Sequence, residues 1–224
     1  MSASEFSFDT WAASYDDIVA SESRGYPFEG YREVLERVRE HVTVRDGTTV
    51  LDIGVGTGLL SRPLYDAGAD IYGVDLSPAM LERAKQKMPG GSFFLCDISD
   101  GLPKELHCVS FDYILSSYAL HHLDDTGKLV LLAQLKSRLK TGGTIIVADI
   151  AFETAADLER VRRDAGDGWD ASEYYYVAGD FLPELERAGF DAAYTQVSCC
   201  AGVMVLREST RKPRFMIPRN TAPV

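Results

Sequence analysis

The sequence predicts an α/β protein built on an open, doubly wound sheet, mostly parallel with one reversed strand. Apolar, β-branched runs alternate with helical stripes through the middle of the chain, a glycine-rich loop follows the first run, and two strand-like runs close it. The link between those last two runs is too short for a parallel crossover, so they form an antiparallel pair. A length of 224 residues suits one such domain, and 46% hydrophobic with 25% charged residues is ordinary for a globular chain with a sizeable core.

Taken in order, Trp11, Tyr15, Ile18 and Val19 follow a helical stripe from Phe8 to about Ala20, and Val34, Leu35, Val38 and Val42 repeat it over Arg32–Val42. Gly25, Pro27 and Gly30 separate these two helices. A strand at Thr49–Ile53 leads through the glycine loop to a helix carrying Leu59, Leu60, Leu64 and Tyr65, which stops at Gly68. A strand at Asp70–Val74 precedes a helix starting at Pro78, a residue suited to a first turn whose N–H has no partner. Strands at Phe93–Cys96 and Phe111–Ser116 follow, then a helix from about Asp124 to Leu139 ended by Thr141-Gly142-Gly143. A strand at Thr144–Ile150, helices near Glu153–Arg163 and Asp180–Ala188, and strands at Ala192–Ser198 and Gly202–Leu206 complete the chain. The organisation expected is an N-terminal helical cap over residues 1–45, a core over 46–208 and a flexible basic tail over 209–224.

Composition narrows the function. The longest apolar runs fall far short of the roughly 20 residues of a membrane helix, and residues 1–20 are polar and acidic, with no readable secretory signal. Cys96, Cys108, Cys199 and Cys200 make neither a metal knuckle nor a disulfide framework and read as buried or half-buried thiols, in keeping with a cytoplasmic setting. The formal charge of −11 disfavours a phosphate backbone or an anionic membrane as partner. Arg207, Arg211, Lys212, Arg214 and Arg219 towards the tail are the local exception.

The chemistry concentrates after the first strand, in Val50-Leu51-Asp52-Ile53-Gly54-Val55-Gly56-Thr57-Gly58. Glycines at 54, 56 and 58 let a ligand approach bare main chain. Leu59 stands where a dinucleotide fingerprint wants a sixth-position glycine or alanine, and the Gly-Lys-Ser/Thr of a phosphate-binding Walker loop is absent. The second strand ends in Asp75 and Leu76, the third in Asp97 and Ile98. Asp75 can accept from both hydroxyls of a ribose, and Asp97 from an exocyclic amine, with Leu76 or Ile98 on a purine face. Each acid can equally cap the helix that follows it. Together the three strand ends point to an adenosine without phosphates.

Those motifs, with Phe111-Asp112-Tyr113-Ile114-Leu115-Ser116, Leu120-His121-His122-Leu123 and Leu139-Lys140-Thr141-Gly142-Gly143, resemble the successive motifs of class I S-adenosylmethionine-dependent methyltransferases over about residues 8–206. Phe8–Asp16 and Glu173-Tyr174-Tyr175 are further similar to the bacterial YrrT-type methyltransferases. The resemblance implies a Rossmann-like seven-stranded sheet, S-adenosyl-L-methionine as cofactor with its methionine over Gly54–Gly58, ribose on Asp75 and adenine near Asp97, and it adds Asp52 and Ser116 to the cofactor set. Trp11 and Tyr15, at i and i+4, have the spacing of a core stripe. The resemblance allows a second reading, in which the N-terminal helix folds over the cofactor and Tyr15 bonds its methionine end.

For the acceptor, His121 and His122 lie just past the fourth strand and are the candidate catalytic groups if a proton must leave the nucleophile. Their other reading is as pocket lining. Trp11, Tyr174, Tyr175 and Asp149 are candidate pocket residues, each with a packing or capping alternative. The chain lacks Asn/Asp-Pro-Pro-Tyr after the fourth strand, which demotes planar amide and amine acceptors, and no metal-ligand spacing is visible, so no metal is expected. A small-molecule methyl acceptor remains as the partner. A cofactor-binding sensor without transfer activity and an RNA-modifying enzyme docking through its tail are the competing readings.

Overall fold

The computed structural model describes residues 12, 15–20 and 25–210. In chain order its elements are α1 (Tyr15–Ala20), α2 (Tyr31–Glu40), β1 (Thr49–Ile53), α3 (Arg62–Asp66), β2 (Asp70–Asp75), α4 (Pro78–Lys87), β3 (Ser92–Leu95), β4 (Phe111–Ser117), α5 (Asp125–Lys136), β5 (Leu139–Phe152), α6 (Ala155–Ala165), β6 (Tyr176–Val177), α7 (Ala178–Arg187), β7 (Phe190–Gln196) and β8 (Ala201–Glu208). Trp11 and the basic tail residues from Arg211 onward lie outside the described residues.

The strands are ordered β3-β2-β1-β4-β5-β8-β7, with the two-residue β6 added beside the end of β5. Along that path only β8 is reversed: it pairs antiparallel with β5 and β7, while the other neighbours are parallel. The chain changes direction of winding between β1 and β4, so the carboxyl ends of these two strands open a crevice.

Alternation along the central strands supplies two cores. Val50, Leu115, Ile146, Ala148, Val203 and Val205 face a cluster closed by Tyr31, Val34, Leu35 and Val38 of α2 and by Leu81 and Ala84 of α4. Their neighbours Leu51, Ile114, Ile145, Val147, Met204 and Leu206 face the opposite cluster, under Leu131, Leu132 and Leu135 of α5 and Phe181 and Leu185 of α7. Burial on both faces is why these strands read as continuous apolar runs. No helix among the described residues is long and apolar enough to cross a membrane.

The structure departs from the sequence expectation in four places. Leu59 and Leu60 precede α3, which spans only Arg62–Asp66, because the glycine loop turns through Ser61 and spends that hydroxyl on Asp52. Thr141-Gly142-Gly143 does not end a helix but lies within β5, where Gly142 at φ 80° accompanies a register shift against β4, and a Cβ on Gly143 would lie 3.0 Å from three backbone carbonyl oxygens. The two-residue strand β6 is one that the sequence pattern did not predict. Of the four free thiols Cys108 is exposed, although the others are buried or half-buried.

The hairpin offers a direct check on packing. A Cβ on Gly202 would sit 2.3 Å from Tyr194 Oη and 2.5 Å from its ring, so Gly202→Ala should cost about 1–3 kcal/mol. The urea midpoint measures this, and adding Tyr194→Ala to the variant should recover part of the loss.

Candidate cofactor and acceptor site

The glycine loop is held from below by β2. The N–H groups of Gly54 and Val55 both donate to Val74 O, at 2.9 and 3.0 Å. Asp75, at the end of β2, accepts from Gly56 N–H through Oδ2 at 2.7 Å and from Ser77 N–H through Oδ1 at 2.9 Å. Capping of α4 falls to Ser77, whose Oγ accepts from Met80 N–H at 3.2 Å, so the capping alternative for Asp75 is replaced by a loop-shaping role. Each carboxylate oxygen offers about two lone pairs, which leaves acceptor capacity for a diol.

The three glycines serve different ends. A Cβ on Gly54 (φ 69°) would lie 2.4 Å from Ala119 Cβ in the loop after β4, and one on Gly58 would lie 2.6 Å from Cε of Met88, the residue just past α4. Gly56 (φ 53°) faces open space, with nothing within 4 Å of its Cβ position. Two are glycine so that the protein can close on itself, and the third presents bare backbone to the crevice.

Asp52 lies beneath the loop, fully buried. Its Oδ2 accepts from Ser61 Oγ, while Oδ1 has no partner. Burial pushes its pKa up to about 7, against the lowering effect of Ser61 and with some help from Asp75. Ser116, also buried, donates its hydroxyl to Ile53 O at 3.0 Å and so ties the ends of β1 and β4 together. Asp97 is exposed and caps the 3₁₀ turn Ile98–Asp100, its Oδ1 accepting from Ser99 N–H at 2.9 Å and Ser99 Oγ at 2.7 Å. Its capping alternative is therefore realised in the structure. Leu76 and Ile98 are half-buried at the strand ends beside these acids.

Helix α1 docks onto the loop through polar contacts that sequence reading missed. Asp16 accepts from Thr57 Oγ1 and from Lys87 Nζ, both at 2.5 Å. Tyr15 reaches Tyr31 Oη at 3.4 Å, with the rings edge to face. Burial raises the Tyr15 pKa, and the carboxylates of Asp75 and Asp149 add to the effect. Tyr31 in turn stacks on Tyr118, a residue at φ 50° whose buried hydroxyl has no partner. The unpartnered oxygens of Asp52 and Tyr118 come from either side of the switch between β1 and β4. Buried polar atoms of this kind ordinarily have a partner, from the protein or from ordered water.

Past the end of β4, Asp149 of β5 organises the turn Leu120–His122. Its Oδ2 accepts from the N–H groups of Leu120 and His121 at 3.0 and 3.1 Å, and its Oδ1 lies 2.5 Å from His121 Nδ1. Nε2 of the same ring is 3.5 Å from Glu173 Oε1, and His122 Nδ1 is 4.0 Å from that oxygen. Burial opposes charge on His121, but Asp149 and Glu173 outweigh it and hold its pKa above the usual range. His122 goes the other way: burial and the neighbouring His121 lower it to about 4.

Glu173 is the residue sequence reasoning omitted from the site, and backbone contacts explain how it arrives. Tyr174 N–H donates to His121 O at 2.7 Å, and the buried Lys128 ammonium donates to Tyr174 O at 2.6 Å. Tyr175 Oη donates to Glu173 Oε2 at 2.8 Å and lies against Tyr26 and Trp169. Tyr175 is thus packed between Glu173, Tyr26 and Trp169, whereas Tyr174 is 51% exposed and meets the turn after β4 through its backbone.

With this geometry in view, the comparisons with known proteins are direct. A family model described as a methyltransferase domain matches residues 50–143. An uncharacterized methyltransferase of Geobacillus sp. (strain WCH70) is 35% identical over 207 residues, covering 88% of this chain and 94% of its own. The uncharacterized methyltransferase YrrT of Bacillus subtilis (strain 168) is 34% identical over 200 residues, covering 84% and 90%. Among solved structures, magnesium protoporphyrin IX methyltransferase ChlM of Synechocystis PCC 6803 with bound SAH has a TM-score of 0.70 at 20% identity, covering 92% of this chain and 98% of its own. The DhpI-SAH complex has a TM-score of 0.66 at 18% identity, covering 91% and 94%. The methyltransferase-domain match and these sequence relatives, on a sheet of this order, make the chain a class I S-adenosylmethionine-dependent methyltransferase. Within that class the chain belongs to the family of bacterial methyltransferases that includes YrrT of Bacillus subtilis.

Two predictions follow from the loop. Gly54→Ala should lower the melting temperature sharply through its clash with Ala119, whereas Gly56→Val should keep the fold and lose cofactor binding, as thermal melts and calorimetry on both variants would reveal. Because the folded-state pKa of Asp52 lies above its unfolded value of about 3.9, its stabilising contribution is full below that value and is lost as pH rises through about 7. Urea midpoints of the cofactor-free chain should therefore fall from pH 5 to 8 more steeply in the native protein than in Asp52→Asn.

Proposed function

We propose that the chain transfers the methyl group of S-adenosylmethionine to a small-molecule acceptor by in-line displacement. The observation that carries this reading is Gly56, a main-chain segment held by Asp75 and open to the crevice where its neighbours are filled. The residues at the switch point fit the cofactor: Gly54, Gly56 and Gly58 for close approach, Asp75 for the ribose, Leu76 and Ile98 for the purine faces, and Asp97 for its amine. The unpartnered Asp52 oxygen and Tyr15 fit the methionine end, with Ser116 holding the two strand ends in register.

Bound there, the cofactor supplies a methyl carbon on a sulfonium, open to attack from the side opposite sulfur. The protein's own contribution is then positioning, which can be worth roughly 7–11 kcal/mol when nucleophile and carbon are held collinear in a dry pocket. The loop after β4 and the Glu173–Tyr175 segment provide that second wall, with His121, His122 and Glu173 able to bind the acceptor's nucleophilic atom or to take its proton. The net charge of −11 favours a small acceptor over a phosphate backbone.

Incubation with methyl-labelled cofactor and a metabolite extract tests the reading. Label should appear in the low-mass fraction. Label in RNA would support an RNA-modifying enzyme instead, and tight cofactor binding with no transferred label would support a sensor. Asp75→Ala should weaken binding of the demethylated cofactor by about 2–5 kcal/mol through loss of two charge-assisted hydrogen bonds. An unchanged dissociation constant by calorimetry would refute the ribose assignment.

A further inference from the structure

The acceptor wall contains an arrangement that methyl transfer by itself does not require. His121 Nε2, His122 Nδ1 and a Glu173 carboxylate oxygen all lie within 4.8 Å of one another. Asp149 accepts at His121 Nδ1, 2.5 Å away, and the other contacts of that carboxylate are backbone N–H groups, from Leu120, His121 and Ile150. The hydrogen of a neutral His121 ring therefore sits on Nδ1, and Nε2 turns a lone pair toward Glu173.

Nε2 and Glu173 Oε1 are 3.5 Å apart, outside normal hydrogen-bond range, and both are acceptors when the ring is neutral. Two ligands each about 2.0–2.1 Å from a tetrahedral ion lie about 3.4 Å from each other. The second imidazole converges on the same oxygen, His122 Nδ1 at 4.0 Å, with the two rings centred 4.3 Å apart. The same carboxylate oxygen is thus the nearest acid oxygen to both rings.

The supports are those a cation site needs. A buried carboxylate behind a ligating histidine fixes its tautomer and raises its basicity. Glu173 Oε2 is occupied by the Tyr175 hydroxyl at 2.8 Å, which leaves Oε1 toward the imidazoles. The bond from Tyr174 N–H to His121 O, at 2.7 Å, ties the two ligand-bearing segments together.

We propose that His121, His122 and Glu173 bind one divalent first-row transition ion, of the zinc or cobalt type, beside the methyl-transfer crevice. Two imidazoles and one carboxylate suit such an ion better than magnesium or calcium, which prefer oxygen ligands. Three protein ligands leave a position open, and the side chain of His122 is 43% exposed, so that position is reachable from solvent. One use of it rests on the function proposed above. An acceptor hydroxyl or thiol bound there would lose its proton to water, and its lone pair would then form the bond to the methyl carbon while the sulfur–carbon pair returns to sulfur.

Binding is tested apart from catalysis. The full chain is stripped with a chelator and dialysed, then titrated with cobalt(II) while its visible absorption is followed, with zinc added afterwards as competitor. One equivalent of cobalt should bind and be displaced by zinc. Glu173→Gln and His122→Ala should each weaken binding at least tenfold, while His107→Gln and a Cys199→Ser/Cys200→Ser double variant retain it. His122 is half-exposed, so its variant decides the matter should Glu173→Gln unfold. Absence of cobalt binding, binding unchanged in His122→Ala, or loss only in the cysteine variant would overturn the proposal. Calorimetry of the demethylated cofactor on the same samples reports separately whether the methyl-transfer reading holds.

Discussion

The structure depends on how closely the chain can leave β1 and β4 in opposite directions. The parallel pairing of these strands sets Ile53 beside Ser116, and the Ser116 hydroxyl bonds across to Ile53 O, so both strands end together. From that point the glycine loop and the loop after β4 nearly touch, Gly54 against Ala119. Only a residue without a Cβ allows this contact, and the crevice exists because the backbones part immediately beyond it.

The two sides of the crevice are built by opposite electrostatic means. After β1 and β2 a carboxylate, Asp75, is spent on ordering backbone N–H groups, and Asp52 beneath it is buried at such cost that its pKa rises to about 7. After β4 and β5 Asp149 accepts from backbone and imidazole together and makes His121 more basic than its burial would allow. Lys128, with no exposed side-chain surface, balances that acidic neighbourhood by donating to Asp125 and Tyr174 O and by lying 4.2 Å over the Tyr176 ring. Positive charge is thus used to place the segment that carries Glu173 rather than to meet a ligand directly.

Helix α1 and helix α2 both reach the main core, α1 through Val19 with Tyr15 packed against it. Tyr31, Val34, Leu35 and Val38 put α2 into the main core, so it belongs to the sheet's covering layer. Helix α1 meets the glycine loop through Thr57–Asp16–Lys87 and through the tyrosine pair.

Local rules were enough to read the strand–loop–helix cycles, the three glycines, the strand-end acids and the reversed closing strand, because each depends on neighbours a few residues away. Periodicity marks a strand, a missing Cβ marks a tight loop, and a short link forbids a crossover. The same rules misplaced Thr141–Gly143, since a bulge inside a strand is defined by its partner across the sheet. They also passed over Glu173, Asp16 and Tyr118, whose roles come from contacts with residues distant in sequence. Which nitrogen of His121 faces the crevice, and that His122 and Glu173 converge on it, was decided only when β5 and β6 brought Asp149 and the Glu173–Tyr175 segment alongside the turn after β4. Linear spacing carries no information about such meetings, because the three-dimensional packing of the sheet brings them about.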